Sequence, residues 1–411
     1  MSQPGSPSPA EAQSASPHLR PISSPPETPA GLSRRMLLGG GAALGALAAL
    51  GGAARAARGD QAPTAGSAPA PLWAGYPNAV VIDGLCGLDL GDALPLPDDV
   101  LAVVDRCGMT AINMTVPQPK EGFEGAVRRF ARLQRAAEVH AEHLLLVRTA
   151  ADLQRAKGEA KLGIIAGAQS TDLYGEDLDR IDLFRGLGLR IAQLTYNDRS
   201  LYGDGCLEPG NAGLSRLGHQ AVERMNGLGI AVDLSHAGQR TTAEGIAASK
   251  RPPLISHTGC NAVYRHPRNN DDAELRAAAD KGGVVGIYLM PFLDGGTGEL
   301  TTDMLFAHLD HALDVCGEDH VGIGSDQGVV PVADGPEYRK ALREEVEQRK
   351  AMGISAPGES PDRPPFIPAL NSERHMDRIA AAMSRRGRPD RVIEKVVGAN
   401  FARAFAECWT A

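Results

Sequence analysis

The sequence predicts an α/β chain folded as a (β/α)8 TIM barrel, and three observations carry that reading. Short apolar, β-branched runs recur at Val80 to Ile82, Ala111 to Val116, Leu162 to Ile165, Ile191 to Thr195, Ala231 to Leu234, Pro253 to Ile255, Val284 to Met290 and Val321 to Ile323. Amphipathic Ala/Leu/Arg-rich segments lie between most of them, such as Phe123 to His140, Leu214 to Leu228 and Met304 to Val315. Strands that alternate with helices form a parallel sheet. Polar residues gather just past the strand ends, the edge at which such barrels build their ligand sites.

The chain begins with address and linker. Residues 1–31 are rich in Pro, Ser and Ala and hold too few large apolar residues to bury a core. Ser33-Arg34-Arg35-Met36-Leu37-Leu38 then leads a Gly/Ala/Leu run to Ala54. Paired arginines before a weakly hydrophobic run resemble a twin-arginine export signal, with Ala54-Arg55-Ala56 as the cleavage site. The many glycines make the run a poor membrane helix. The expected division is a signal peptide over 1–56, a flexible linker over 57–77 and the barrel over 78–411. The mature protein is expected in the periplasm or outside the cell, with no stable membrane span. A formal charge of −8 over 411 residues argues against a nucleic-acid partner, because phosphate binding needs a surplus of Lys and Arg. Six cysteines contain no C-x-x-C pair, which argues against a structural zinc ribbon. Outside the cytoplasm some of them are free to pair.

The strand ends, in order, define the site. The first run closes on Asp83-Gly84-Leu85-Cys86-Gly87, the third on Ala166-Gly167-Ala168-Gln169 and the fourth on Tyr196-Asn197. The fifth and sixth close on the same dipeptide, Ser235-His236 and Ser256-His257, with a helix-prone segment at Thr241 to Ser249 between them. The last closes on Gly324-Ser325-Asp326. A further run at Leu144 to Val147 is read as accessory, and Ser372 to Arg386 and Asp390 to Glu407 as closing helices beyond a Pro-rich loop at Pro361 to Pro368. His236, His257 and Asp326 thus share one face. Two imidazoles and one carboxylate are what a catalytic zinc asks of a protein, with a fourth position left for water. Alternatively, Asp326 is the general base that moves the water proton to the leaving amine.

At this point the residues resemble the membrane dipeptidase, or renal dipeptidase, family. The matching segments include Leu187-Gly188-Leu189-Arg190-Ile191 through Asn197, Val232-Asp233-Leu234-Ser235-His236, Ile255-Ser256-His257-Thr258, His266-Pro267-Arg268-Asn269 and Asp319 through Asp326. They run in the family's order from about Val80 to Phe401. The resemblance implies an amidohydrolase-like barrel and binuclear zinc hydrolysis of dipeptides. It makes His236 and His257 ligands of one metal and Asp326 the proton-handling carboxylate. Arg268 takes the position that meets the substrate carboxylate, which suits an Arg fork. Gln169, Tyr196 and Asn197 fall in the substrate pocket, Tyr196 where many relatives carry a histidine.

The chain also departs from the family. Leu85 and Gly87 stand in place of a His-x-Asp pair, and Ala166 in place of a metal-bridging Glu. None of these side chains can donate a lone pair to zinc, so the two-metal site cannot form unless Cys86, Asp83 or Asp89 substitutes. The expectation is an exported hydrolase of a dipeptide or small amide with at most one zinc ion. Two alternatives stay open: a catalytically degenerate barrel that binds a small ligand, and a metal-free hydrolase or lyase working through Asp326 and a histidine.

Overall fold

The computed structural model describes residues 72–91 and 93–410. The signal-type segment over 1–56 and the linker up to residue 71 lie outside the described residues. The strands are β1 (Ile82–Asp83), β2 (Cys86–Gly87), β3 (Ala111–Thr115), β4 (Leu144–Leu146), β5 (Leu162–Ala168), β6 (Leu189–Gln193), β7 (Ala231–Asp233), β8 (Leu254–Thr258), β9 (Val284–Ile287), β10 (Val321–Ile323) and β11 (Gln327–Gly328). Eight of them pair in the order β1-β3-β5-β6-β7-β8-β9-β10, and every pairing is parallel. These are the eight runs expected from the sequence, so the chain is a (β/α)8 barrel. β4 pairs only with β5 and stays off that path, as an accessory strand.

The circle closes between the first and last strands. The Gly84 N–H donates to the Ile323 carbonyl at 2.8 Å, and β2 pairs with β11 just beyond it. One apolar cluster joins Ile82, Ala111, Ile165, Ile191, Ala231, Leu254 and Val284, one from each of seven strands, to Phe401 and Phe405 of the C-terminal helix and Trp409 just past its end. A larger cluster joins the strands to the surrounding helices. The backbones crowd at the level of Ser256: a Cβ at Gly286 or Gly324 would stand 2.0 or 1.9 Å from its carbonyl oxygen.

Helices fill the connections much as the apolar spacing predicts. Phe123–Val139, Arg216–Leu228, Gln239–Ala248, Thr302–Cys316 and His375–Arg385 match the expected segments to within a few residues. Ser215 caps the second of these by accepting from the Gly218 N–H at 3.0 Å, and Gly229 ends it in the left-handed conformation, φ 64°. The closing segment expected over Asp390 to Glu407 is broken into Asp390–Glu394, a wide turn at Lys395–Ala399 and Asn400–Cys408. The break falls at Gly398, where a Cβ would lie 2.3 Å from the Val80 carbonyl oxygen, so the helix and β1 meet backbone to backbone. Between β11 and the C-terminal helices stands a helix the apolar runs did not reveal, Pro336–Ala351.

The last residues of the stretch read as linker, from Leu72, pack on the barrel. Trp73 and Tyr76 are buried. The Asp377 carboxylate accepts from the Leu72 and Trp73 N–H groups at 2.9 and 3.0 Å, and Asp390 accepts from the Trp73 indole at 2.9 Å. All six cysteines are unpaired.

Candidate active site

The two histidines lie at different points of their strands. His236 sits three residues past β7 with φ 63°, and Asp326 three residues past β10 with φ 58°. For residues with a Cβ this left-handed conformation costs about 1–2 kcal/mol. It is held at His236 by the Cys206 N–H, which donates to the His236 carbonyl at 2.7 Å, and at Asp326 by its own N–H, which donates to the Leu85 carbonyl at 2.8 Å. His257 lies within β8 rather than after the expected end at Ile255. The register of β8 against β9 shifts between Ile255 and Thr258, so the strand continues through Ser256 and His257 with an irregularity.

The imidazoles meet edge to face, ring centroids 4.9 Å apart, and Tyr196 stacks on His236 at 4.2 Å. His236 Nδ1–H donates to Asn197 Oδ1 at 2.6 Å. His257 Nδ1 is 2.8 Å from Ser256 Oγ, whose own proton goes to Asp233 Oδ2 at 2.6 Å; the Ser256 oxygen therefore accepts from His257. Both rings then carry their proton on Nδ1 and leave Nε2 as an acceptor. The Gln169 Nε2 lies within reach of both, 3.4 Å from His236 Nε2 and 3.3 Å from His257 Nε2. The Gln169 carbonyl in turn accepts from the Thr115 hydroxyl at 2.9 Å.

Burial and the nearby Arg268 charge push both imidazoles well below their usual range, so they are neutral. Burial pushes the Asp326 carboxyl up to about 6, against the pull of Arg268 and Arg349. Arg268 is itself buried and its Nη2 has no partner. A buried guanidinium nitrogen without an acceptor is costly, and an incoming carboxylate would relieve it. Asn197, read from the sequence as a pocket residue, orients His236 and donates through Nδ2 to the Ile354 carbonyl at 2.8 Å. Tyr196 accepts from Arg349 at 3.4 Å, and Arg349 makes a forked pair with Glu359 at 2.9 and 2.8 Å. Arg349, Glu359 and Ser355, whose hydroxyl donates to Glu359 at 2.9 Å, are site-supporting groups that sequence reasoning missed.

The metal-ligand expectation is sharpened in two ways. His236, His257 and Asp326 do not bring three ligand atoms within 4.8 Å of one another; among the described residues the set that does is Asp83, Cys86 and His375. Asp83 is engaged there as a clasp: Oδ1 accepts from the Ser325 and Leu85 N–H groups at 2.8 and 3.2 Å, and Oδ2 pairs with His375 Nε2 at 2.9 Å. Burial pushes the Cys86 thiol well up. Asp89 is exposed and accepts from the Gly91 N–H. The donor chemistry that fits a divalent cation is the histidine pair, whose Nδ1 atoms are fixed by Asn197 and Ser256 in the manner of metal-bound imidazoles.

The membrane dipeptidase family model, peptidase family M19, matches residues 104–351. Dipeptidase verJ of Clonostachys rogersoniana is 30% identical over 228 residues, 54% of this chain and 58% of that protein. Dipeptidase tcpJ of Claviceps purpurea is 26% identical over 278 residues, 67% of this chain and 58% of that protein. The chain thus spans just under three-fifths of the length of these curated relatives. An amidohydrolase from Pseudomonas aeruginosa superposes with a TM-score of 0.71 at 29% identity, over 82% of this chain and 98% of that one. The M19 metallopeptidase dipeptidase AC shares the fold, with a TM-score of 0.65 at 22% identity over 81% of this chain and 99% of that one. With its eight-stranded barrel and a family match that covers more than half its length, the chain belongs to the membrane dipeptidase family.

Proposed function

We propose that the chain is a hydrolase of dipeptides or closely related small amides, built on a single-metal remnant of the family site. The observation that carries this reading is the convergence of two neutral imidazole Nε2 lone pairs, each ring pinned through Nδ1, beside a buried carboxyl and an unsatisfied guanidinium. His236 and His257 would hold a zinc ion, which would supply Lewis acidity toward a carbonyl oxygen and a water of lowered pKa. Arg268 binds the substrate carboxylate through its free Nη2. Asp326 takes the proton from the attacking water and returns it to the leaving amine, a task suited to a carboxyl titrating near neutrality. Tyr196 covers one face of His236 and keeps that ring in place.

The test is dipeptide hydrolysis by the purified protein before and after chelation, with zinc, manganese or cobalt added back. Activity should fall on chelation and return with metal. Arg268→Ala should raise KM by roughly 10–100-fold, the worth of one charged hydrogen bond, and Asp326→Asn should lower kcat by about 10²–10⁴. Metal-replete protein that hydrolyses no dipeptide would overturn the reading. A specific observation favours a second one: Leu85, Gly87 and Ala166 remove three family donors, which suits a barrel that binds its ligand without cleaving it. Ligand binding by Arg268 with no turnover would establish that alternative.

Export through a twin-arginine route is proposed from Arg34-Arg35 ahead of the Gly/Ala/Leu run. Replacing both arginines by lysine should hold the precursor inside the cell, as read by cell fractionation; unchanged export counts against the route.

A further inference from the structure

The carboxylate that would have completed the histidine pair is missing, and a neutral amide faces both rings instead. Of the residues closing β5, the one whose side chain reaches both rings is Gln169, not Ala166. A tetrahedral ion bound at about 2.0–2.1 Å by nitrogen or oxygen sets neighbouring donor atoms about 3.3–3.4 Å apart. The end of the Gln169 amide already stands 3.4 Å from His236 Nε2 and 3.3 Å from His257 Nε2. Both separations match the edge expected between two ligand atoms that share one ion. The amide end is not at the position of the ion itself, which would lie about 2 Å from each ring nitrogen.

The amide turns its NH2 toward the rings and gives one N–H to each Nε2. A half-turn about the Cγ–Cδ bond brings Oε1 to the same place. Thr115 permits this, because its hydroxyl, now donating to Oε1 at 2.9 Å, can equally accept from the NH2 that replaces it. Neither histidine has to move, since each Nδ1–H keeps its partner in Asn197 or Ser256.

We propose that Gln169 is the third protein ligand of a His2Gln single-metal site, its amide oxygen standing in for the absent bridging carboxylate and its NH2 capping both histidines when no metal is bound. The proposal rests on the single-metal reading of the site. It makes a site with one neutral amide oxygen where the family uses an anionic donor, so the ion should be held less tightly than a carboxylate would hold it.

The experiment is metal binding by the full chain, read as zinc per chain by elemental analysis, zinc affinity by chelator competition and the visible spectrum of the cobalt-loaded protein. Wild type should bind one zinc. Gln169→Ala should weaken zinc at least tenfold, the scale expected for losing an ordering group at a metal site. Gln169→Glu, of nearly the same shape, should bind more tightly than wild type and shift the cobalt bands. Circular dichroism checks that both variants fold, and Gln169→Glu decides should Gln169→Ala fail to. Equal affinity in wild type and Gln169→Ala would overturn the Gln169 assignment and leave the metal reading standing. Zinc binding gained in Gln169→Ala and absent from wild type would also overturn it, identifying the amide as a plug. No zinc in wild type or either variant would overturn both.

Discussion

Asp233 shows how much of the site is held from beneath by a residue with no catalytic task. Its Oδ1 accepts from the Ser235 and Ser256 N–H groups and from Ser235 Oγ, and its Oδ2 from Ser256 Oγ and Gln193 Nε2. Five donors on one buried carboxylate lock β6, β7 and β8 together. They also fix the direction of the Ser256 proton, and so the tautomer of His257. The repeated Ser-His endings made the two imidazoles legible in the sequence, although only Ser256 holds the ring beside it and His236 is held by the more distant Asn197. The meeting of Gln169 with both rings was not legible. Gln169 lies just past the end of β5, where alternation along the strand no longer dictates the direction of a side chain. The unsatisfied Nη2 of Arg268 was equally hidden, since it is a property of its surroundings and not of its spacing.

The helix Pro336–Ala351 is the element that sequence reasoning passed over, and its composition explains why. Its sequence is dominated by Glu, Lys and Arg, and the buried positions are only Tyr338, Leu342, Val346 and Arg349. Those four follow helical spacing, but the last is a charge, so an apolar count misses it. Packed with Phe366, the helix delivers Arg349 to Tyr196 and Glu359, and thereby supports the ring stacked on His236. One turn earlier it carries Glu345, whose Oε1 is buried without a partner. Burial pushes this carboxyl from its ordinary 4.5 up to about 8. A carboxyl raised in the folded state binds its proton more tightly there than in the unfolded chain, so stability declines as pH rises from about 4.5 to 8. Glu345→Gln removes the titration and keeps the shape. Its melting temperature should exceed wild type at pH 8 and equal it near pH 4. Equal differences at both pH values would show that the carboxyl does not titrate in this window.

At the scale of the whole molecule, the eight strand runs announce a barrel, but nothing in their periodicity says how the barrel is closed. Closure falls to few groups: the backbone hydrogen bonds from Gly84 to Ile323 and from Asp326 to Leu85, the short β2–β11 pairing and Asp83. Asp83 is fully buried and reaches three ways, to the Leu85 N–H on its own strand end, to the Ser325 N–H of the last strand end, and to His375 at the start of a C-terminal helix. Leu85 and Ser325 flank the left-handed Asp326, whose N–H is held by the Leu85 carbonyl. The clasp that closes the barrel is thus also the mount of the proton-handling carboxyl. Asp83→Ala would strand two buried N–H groups and a buried imidazole, a loss of about 3–5 kcal/mol by analogy with broken buried pairs. Asp83→Asn keeps one acceptor oxygen and should lose less. Urea denaturation measures the loss, and amide exchange locates it: protection should fall first at Gly84, Leu85, Ser325 and Asp326. A uniform fall across all eight strands would mean that the seam is not a distinct weak point of the fold.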